Sequence, residues 1–224
     1  MPGKNIIKTY VENGYYHLYN RGIDRREIFL EPKDCITFLY YLKLYLSSPE
    51  TLQKANLFIT PRMLYKITVL NLYNEVHLLS FALMPNHFHL QVKQLSVDGI
   101  EKLMRRVLTS YAGFFNTKYT RRGPLFESIY KAVLIESEPQ HLYLSSYIHR
   151  NPMKLQRPKF DFIQFSSYPY YLLEKRAEWV RQEEILSYFK TAKGKNDIVS
   201  YQNFVESILE QPETILGERT LEVD

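Results

Sequence analysis

Residues 81–95, FALMPNHFHLQVKQL, carry the pattern from which we predict the fold of this chain. An apolar run meets the turn formers Pro85 and Asn86, and the chain then continues with alternating polar and apolar residues. This pattern predicts a β-hairpin, with strands over residues 75–84 and 86–93. Successive side chains of a strand point to opposite faces, so His87 and His89 should share one face. Such a pair can bind a metal ion, or it can be two ordinary histidines of a sheet.

Around the hairpin, hydrophobic periodicity alternates between strand and helix spacing. Ser96 is the expected N-cap of the long helix after the hairpin, and a later helix should end before Pro152. The order predicts an α+β fold: a ferredoxin-like (RRM-like) sandwich with a largely antiparallel sheet, helices packed on it and a C-terminal helical extension. The predicted strands are 15–24, 75–84, 86–93 and 129–137, and the predicted helices are 31–47, 96–120 and 138–151, with a helix or irregular segment at 48–66 broken by Pro61.

Composition is that of an ordinary globular protein, with 45% hydrophobic and 24% charged residues among 224. The single cysteine, Cys35, excludes a disulfide framework. No signal-peptide core and no apolar run of membrane-spanning length occurs, so a cytoplasmic location without membrane contact is the expectation.

Charge is distributed unevenly along the chain. Residues 101–160 hold eleven Lys and Arg against four Asp and Glu, whereas residues 171–224 hold seven against eleven. A basic middle indicates a polyanionic partner, although an ordinary solvated face has the same composition.

The segment SSYIHRNPMK, residues 145–154, carries the second pattern of interest. Tyr147 and Asn151 are four residues apart and should share a face of a helix. They can supply a nucleophile and an oxygen ligand for a metal. Alternatively, Tyr147 packs in the core and Asn151 caps the helix.

Taken together, MPNHFHL and YIHRNP resemble the single-tyrosine HUH transposases, and among them the REP-associated tyrosine transposases. The segments 15–29, 121–135 and 151–172 are similar to the family's first strand, its Gly-x-Leu-aromatic segment and the region after its tyrosine helix. The departures are an insertion at about 48–74, Glu127 where the family often has Gln, and Phe165 where it often has Trp. We therefore predict an HUH transposase-like domain over 1–172 and a helical, acidic extension over 173–224.

The resemblance implies a single-stranded DNA transposase that cleaves and rejoins DNA, at hairpin or repeat ends, through a 5′-phosphotyrosine. It implies Tyr147 as nucleophile, with a divalent ion, Mg²⁺ or Mn²⁺, held by His87, His89 and Asn151. The partner is single-stranded or hairpin DNA. Members of the family act as monomers or as dimers, so a homodimer is also an expectation.

Several alternatives remain open. Tyr111 is a second candidate nucleophile, and Tyr143 lies one helical turn before Tyr147. The chain could also be a catalytically inactive nucleic-acid-binding module of the same fold, or a small-molecule hydrolase that uses the His-x-His pair.

For DNA binding, basic side chains should contact phosphates and exposed aromatic rings should stack on unpaired bases. The aromatic candidates are Phe126 and Tyr130. The basic candidates are Arg21, Arg25, Arg26, Arg105, Arg106, Arg121 and Arg122.

Overall fold

A four-stranded antiparallel sheet forms the centre of the structure, a computed structural model that describes residues 10–55, 60–189 and 197–207. The strands are β1 (Tyr15–Arg21), β2 (Val76–Met84), β3 (His87–Gln94) and β4 (Lys131–Ile135). Their order in the sheet is β2-β3-β1-β4. The hairpin predicted around Pro85 and Asn86 is confirmed, since β2 and β3 pair directly across it.

Helices follow the strands in the order that a ferredoxin-like fold requires, which confirms the predicted α+β class. The first long helix, α1, begins at Pro32 and is stabilised by a capping box between Glu31 and Asp34. The helices are α1 (Pro32–Leu46), α2 (Pro49–Ala55), α3 (Pro61–Thr68), α4 (Gly99–Lys118), α5 (Glu138–Arg150), α6 (Tyr168–Tyr171), α7 (Glu183–Leu186) and α8 (Asp197–Ser207).

Each face of the sheet is covered by a different set of helices. Phe88 and Leu90 of β3 point into the main core, which α1 and α4 close. Ala82 of β2 and Ile135 of β4 instead meet Leu144 and other residues of α5 on the opposite face. His87 and His89 alternate with Phe88 and Leu90 and therefore lie on the α5 face.

The start of α4 differs from the prediction. Its N-cap is Asp98 and its first residue is Gly99, so Ser96 is not the N-cap. The Ser96 hydroxyl instead donates to the Glu75 carboxylate at 2.9 Å, and its backbone carbonyl accepts from the Gly99 N–H. The carboxylate, brought close by the chain before β2, holds the hydroxyl that would otherwise cap the helix.

The inserted segment at 48–74 forms α2 and α3 on either side of residues 56–59, which lie outside the described residues. Thr60 caps α3 by accepting from the Met63 N–H, and Pro61 stands at its first residue, so this proline starts a helix. An Arg106 guanidinium nitrogen on α4 donates to the Leu70 carbonyl at 2.6 Å and fixes the end of the segment.

Beyond residue 172 the described chain is mainly short helices that return to the sheet. Leu79 of β2 packs with Tyr171, Ile185 and Tyr201, which belong to α6, α7 and α8. The domain boundary at residue 172 stays a prediction, and most of the acidic tail, residues 208–224, lies outside the described residues. In the described part of the chain, every helix is too short or too polar to cross a membrane.

Candidate active site

Two buried imidazoles stand side by side at the start of β3. His87 is 5% exposed and His89 is fully buried. Nδ1 of His87 lies 2.6 Å from Oδ1 of Asn86, and Nδ1 of His89 lies 2.9 Å from Nε2 of His17 on β1. The Nε2 atoms of His87 and His89 are both buried and have no hydrogen-bond partner among the described residues. Buried polar atoms usually have a partner, so two such nitrogens side by side fit the binding of a cation.

Burial also keeps both rings neutral. It lowers the pKa of His87 to about 3, with the Arg21 guanidinium and His17 as further causes. Burial, followed by the charges of His87 and His17, holds the pKa of His89 well below its usual range. A neutral imidazole has a free lone pair, which is the form that binds metal ions.

Helix α5 brings Tyr147 to the same place. The helix begins where the Ser137 hydroxyl accepts from the Gln140 N–H, and it packs on the sheet through Leu144 and Ile148. The Tyr147 ring is 7% exposed, and its centroid lies 5.5 Å from that of His89 and 6.2 Å from that of His17, edge-on to both. The expected tyrosine and the histidine pair are therefore neighbours within one chain.

Asn151 is buried at the C-terminal end of α5. Its side-chain nitrogen donates to the Tyr147 backbone carbonyl at 2.9 Å, and its backbone N–H donates to the same carbonyl at 3.1 Å. Asn151 thus caps the helix, as one of the two interpretations of the sequence expects. The cap uses the amide nitrogen, whereas a metal ion would bind Oδ1, so its role as a ligand stays a prediction.

Two imidazole nitrogens and one amide oxygen could bind a divalent ion, although only the imidazoles are common metal ligands. Within residues 10–55, 60–189 and 197–207, no three His, Cys, Asp or Glu side chains gather as a metal site. Two unpartnered imidazole nitrogens and one amide oxygen would leave further coordination positions for substrate oxygens, as a catalytic metal requires.

The other tyrosine candidates lie elsewhere. Tyr111 is fully buried among Phe29 and Phe38 on the α4 face, and its hydroxyl donates to the Ile28 carbonyl. Burial raises the pKa of this phenol, which makes it a poor nucleophile. Tyr143, a turn before Tyr147, packs its ring edge-on against Phe204 of α8.

Five of the predicted DNA-binding arginines lie at the end of the sheet where His87 stands; we call this the arginine end. Arg21 pairs with His87 in the β1–β3 register and forms an ion pair with Glu127 at 3.1 Å. Two loops meet there, because the Ile23 N–H donates to the Leu125 carbonyl and the Glu127 N–H to the Arg21 carbonyl. The arginine end comprises Arg21, Arg25, Arg26, Arg121 and Arg122.

Gly22 makes this arrangement of loops sterically feasible. A Cβ atom at position 22 would lie 2.3 Å from the Arg26 carbonyl oxygen and 2.8 Å from Ile28. The Gly22 N–H also donates to the Asn86 carbonyl at 2.8 Å, which joins the turn after β1 to the hairpin turn before His87. Glycine is therefore required by close packing at this position.

The remaining two arginines lie on the other side of the sheet. Arg105 and Arg106 belong to α4, which covers the face opposite the histidines. Arg105 is exposed and pairs with Glu101, whereas Arg106 donates to the Leu70 carbonyl. All seven arginines stay predicted phosphate contacts, but the structure does not bring these two together with the other five.

One aromatic expectation is wrong. Tyr130 is only 4% exposed, and its hydroxyl lies within hydrogen-bond distance of the Tyr10 hydroxyl, so it is not an exposed stacking surface. The chain before β1 covers it, which a local pattern at 121–135 could not reveal. Phe126 is half-buried and packs edge-on against Phe88.

The sequence interpretation missed His17. This fully buried residue lies in the first strand, within YYHLYNR, and bonds to His89. The sequence does indicate that His17 shares one face of this strand with Tyr15 and Tyr19, because the three residues are spaced two apart. Only the β1–β3 register, in which Tyr19 faces His89, shows that His17 lies diagonally beside the histidine pair.

No family model matches the chain, and no curated protein matches it either. Among solved structures, the chain is similar to a REP-associated tyrosine transposase bound to a REP hairpin. The two chains share 11% sequence identity with a TM-score of 0.49, and the similar region covers 76% of this chain and 86% of the other.

Proposed function

We propose that this protein is a single-stranded DNA transposase that cuts and rejoins DNA through a covalent 5′-phosphotyrosine. The observation that carries the proposal is the position of Tyr147. Its ring centroid lies 5.5 Å from that of His89, close to two buried Nε2 atoms that have no hydrogen-bond partner in the described part of the chain. A nucleophile next to a candidate cation site is the arrangement that phosphodiester cleavage needs. The resemblance of MPNHFHL and YIHRNP to the HUH transposases supports the same assignment.

Tyr147 would act as the nucleophile. Its phenolic oxygen attacks the phosphorus, the bond from phosphorus to the 3′ oxygen breaks, and the departing oxygen takes up a proton to become a 3′-OH. The phosphate remains on Tyr147 as a 5′ ester. Because that ester keeps the phosphate activated, a 3′-OH from another strand end can attack it and release the tyrosine. Strand transfer then needs no external energy source.

His87, His89 and Asn151 would hold the divalent ion through the two Nε2 atoms and Oδ1. Bound Mg²⁺ or Mn²⁺ would neutralise the non-bridging phosphate oxygens and favour the phenolate, since a free phenol has a pKa near 10. Imidazole ligands suit transition metals better than Mg²⁺, so Mn²⁺ should support activity at least as well.

The arginine end would bind the DNA backbone close to the scissile phosphate. Arg25 and Arg122 are exposed there, and Arg21 lies next to His87. Single-stranded or hairpin DNA is the proposed partner. Tyr147 and His89 are neighbours in one chain, so the proposed chemistry does not depend on a homodimer, which stays a prediction.

The direct test is covalent trapping. A labelled single-stranded or hairpin oligonucleotide incubated with the protein and Mn²⁺ should give an adduct that survives a denaturing gel. Tyr147→Phe should abolish the adduct and retain DNA binding, whereas Tyr143→Phe, the matched control one turn away, should form it normally.

Two other outcomes of this experiment would contradict the proposal. An adduct that persists in Tyr147→Phe would show that another residue is the nucleophile. DNA binding that is insensitive to chelator, with no cleavage in any divalent metal, would favour the inactive nucleic-acid-binding module instead.

A further inference from the structure

His17 contacts the histidine pair from the neighbouring strand. Its Nε2 lies 2.9 Å from Nδ1 of His89, and the two rings meet edge to edge, with centroids 5.1 Å apart and planes inclined by 21°. Both side chains are fully buried. The contact therefore joins two ring nitrogens in a site without bulk water.

A hydrogen bond between two ring nitrogens needs one donor and one acceptor. If His89 donates from Nδ1, its Nε2 carries a free lone pair. If His17 donates instead, His89 Nε2 carries a proton that is buried without an acceptor among the described residues, which is unfavourable. The first arrangement avoids a stranded donor and leaves an atom able to bind a cation.

His87 provides an independent comparison because its tautomer follows from the geometry. The Asn86 amide nitrogen donates to the Arg25 carbonyl at 3.2 Å, which orients Oδ1 toward His87. An amide oxygen only accepts, so His87 must donate from Nδ1 and carry its lone pair on Nε2. His87 and His89 then present the same unprotonated atom on the same face of β3.

We infer that His17 is a positioning residue that holds His89 in the Nδ1–H tautomer and keeps Nε2 free to bind the divalent ion. Partners of this kind orient metal-binding histidines through the ring nitrogen that does not touch the metal. The inference rests on the proposed function, in which Nε2 of His89 is a ligand. Asn86 fixes the tautomer of His87 in the same way, by accepting from its Nδ1–H.

Long-range proton–nitrogen NMR on metal-free protein labelled with ¹⁵N-histidine tests the tautomers directly. In the unaltered protein, His87 and His89 should both show a protonated Nδ1 and an unprotonated Nε2. His17→Leu removes the acceptor, so the His89 signals should shift toward a mixture of tautomers while those of His87 stay unchanged. His17→Gln, whose side-chain oxygen can accept in place of Nε2, should retain the original pattern.

A Mn²⁺ titration, monitored through the electron paramagnetic resonance signal of the free ion, adds a second readout. His17→Leu should bind Mn²⁺ about 10–100-fold more weakly, and His17→Gln should stay close to the unaltered protein. A proton on Nε2 of His89 in the unaltered protein would overturn the inference, as would an unchanged His89 tautomer in His17→Leu. Even if His17→Leu does not fold, the spectrum of the unaltered protein shows which ring nitrogen of His89 carries the proton.

The two proposals fail in different ways. The expected tautomers without any Mn²⁺ binding would support the role of His17 as the residue that fixes His89, and would overturn the metal site of the proposed function. Mn²⁺ binding with the opposite His89 tautomer would overturn the role of His17 and leave the metal site standing.

Discussion

The Tyr201 hydroxyl, on the last described helix, lies 2.7 Å from Nδ1 of His149 on the helix that carries Tyr147. The other ring nitrogen of His149 lies 2.6 Å from the Ser167 hydroxyl, and that hydroxyl accepts from the Phe81 N–H of β2. His149 thus connects α8, α5 and the sheet. Residues after position 172 therefore help to fix the helix that presents the proposed nucleophile.

Tyr201→Phe should destabilise the fold while preserving the aromatic packing. The change removes the hydrogen bonds to His149 and to Ser145 and leaves their buried polar atoms short of a partner, at a cost of about 1–3 kcal/mol. Urea unfolding measures the loss. Tyr188→Phe, at a position 49% exposed, is the control and should change stability by less than about 0.5 kcal/mol. Equal stabilities of the two variants would contradict the role of the Tyr201 hydroxyl.

Asn151→Asp should separate helix capping from metal binding. The carboxylate loses the donor to the Tyr147 carbonyl and places negative charge at a helix C-terminus, so the free energy of unfolding should fall by about 1–3 kcal/mol. Mn²⁺ affinity should persist or rise, because a carboxylate remains a good oxygen ligand.

Two further variants complete that comparison. Asn151→Leu should lose both stability and Mn²⁺ affinity, and Asn203→Asp on an exposed face of α8 should change neither. Calorimetric Mn²⁺ titration and urea unfolding measure the two quantities. Unaltered Mn²⁺ affinity in Asn151→Leu would remove Asn151 from the ligand set.

Acidification should destabilise the protein partly through His141. Burial lowers the pKa of this histidine to about 4, with the Lys93 charge lowering it further and the Glu184 charge opposing that shift. Its Nδ1 lies 3.0 Å from the Gln91 side-chain nitrogen and accepts a hydrogen bond from it. A protonated ring could not accept this hydrogen bond. Between pH 6.5 and pH 4 the unfolded chain binds this proton and the folded chain does not, so stability falls as pH falls.

His141→Gln keeps an acceptor for Gln91 but does not titrate. Its free energy of unfolding should therefore depend less steeply on pH between 4.5 and 6, by up to about 1.4 kcal/mol per pH unit. Urea unfolding at a series of pH values gives the two slopes. Identical slopes for the variant and the unaltered protein would show that His141 does not contribute.

Arg122→Ala should weaken DNA binding by losing one phosphate contact. Arg122 is exposed at the arginine end, so its removal should lower the slope of log affinity against log salt by about 1. Fluorescence anisotropy with a labelled oligonucleotide at several salt concentrations measures this slope. Arg62→Ala, on the exposed surface of α3, is the matched control and should leave the slope unchanged.

Arg121→Ala should behave differently from its neighbour. The Arg121 guanidinium donates to the Asn116 side chain and to the carbonyls of Gly123 and Pro124, so it holds the loop in shape. Its loss should lower both the free energy of unfolding and the affinity for DNA.

For Arg122→Ala, an unchanged slope of log affinity against log salt would argue against DNA binding at the arginine end.

Features that depend on local spacing could be predicted from the sequence alone. Alternation in β3 predicted that His87 and His89 share a face, and turn residues predicted the hairpin. Helical spacing and Pro152 predicted the helix with Tyr147 and Asn151. These patterns persist because side-chain direction within one strand or helix follows from backbone geometry alone.

Which elements meet one another could be seen only in the folded chain. The β1–β3 register placed His17 beside His89, the docking of α5 placed Tyr147 there, and α4 put Arg105 and Tyr111 behind the sheet. Ser96 and Tyr130 were mispredicted for the same reason, because their partners Glu75 and Tyr10 are distant in sequence. Strand register and helix docking depend on burying apolar surface across many residues, which no short sequence pattern contains.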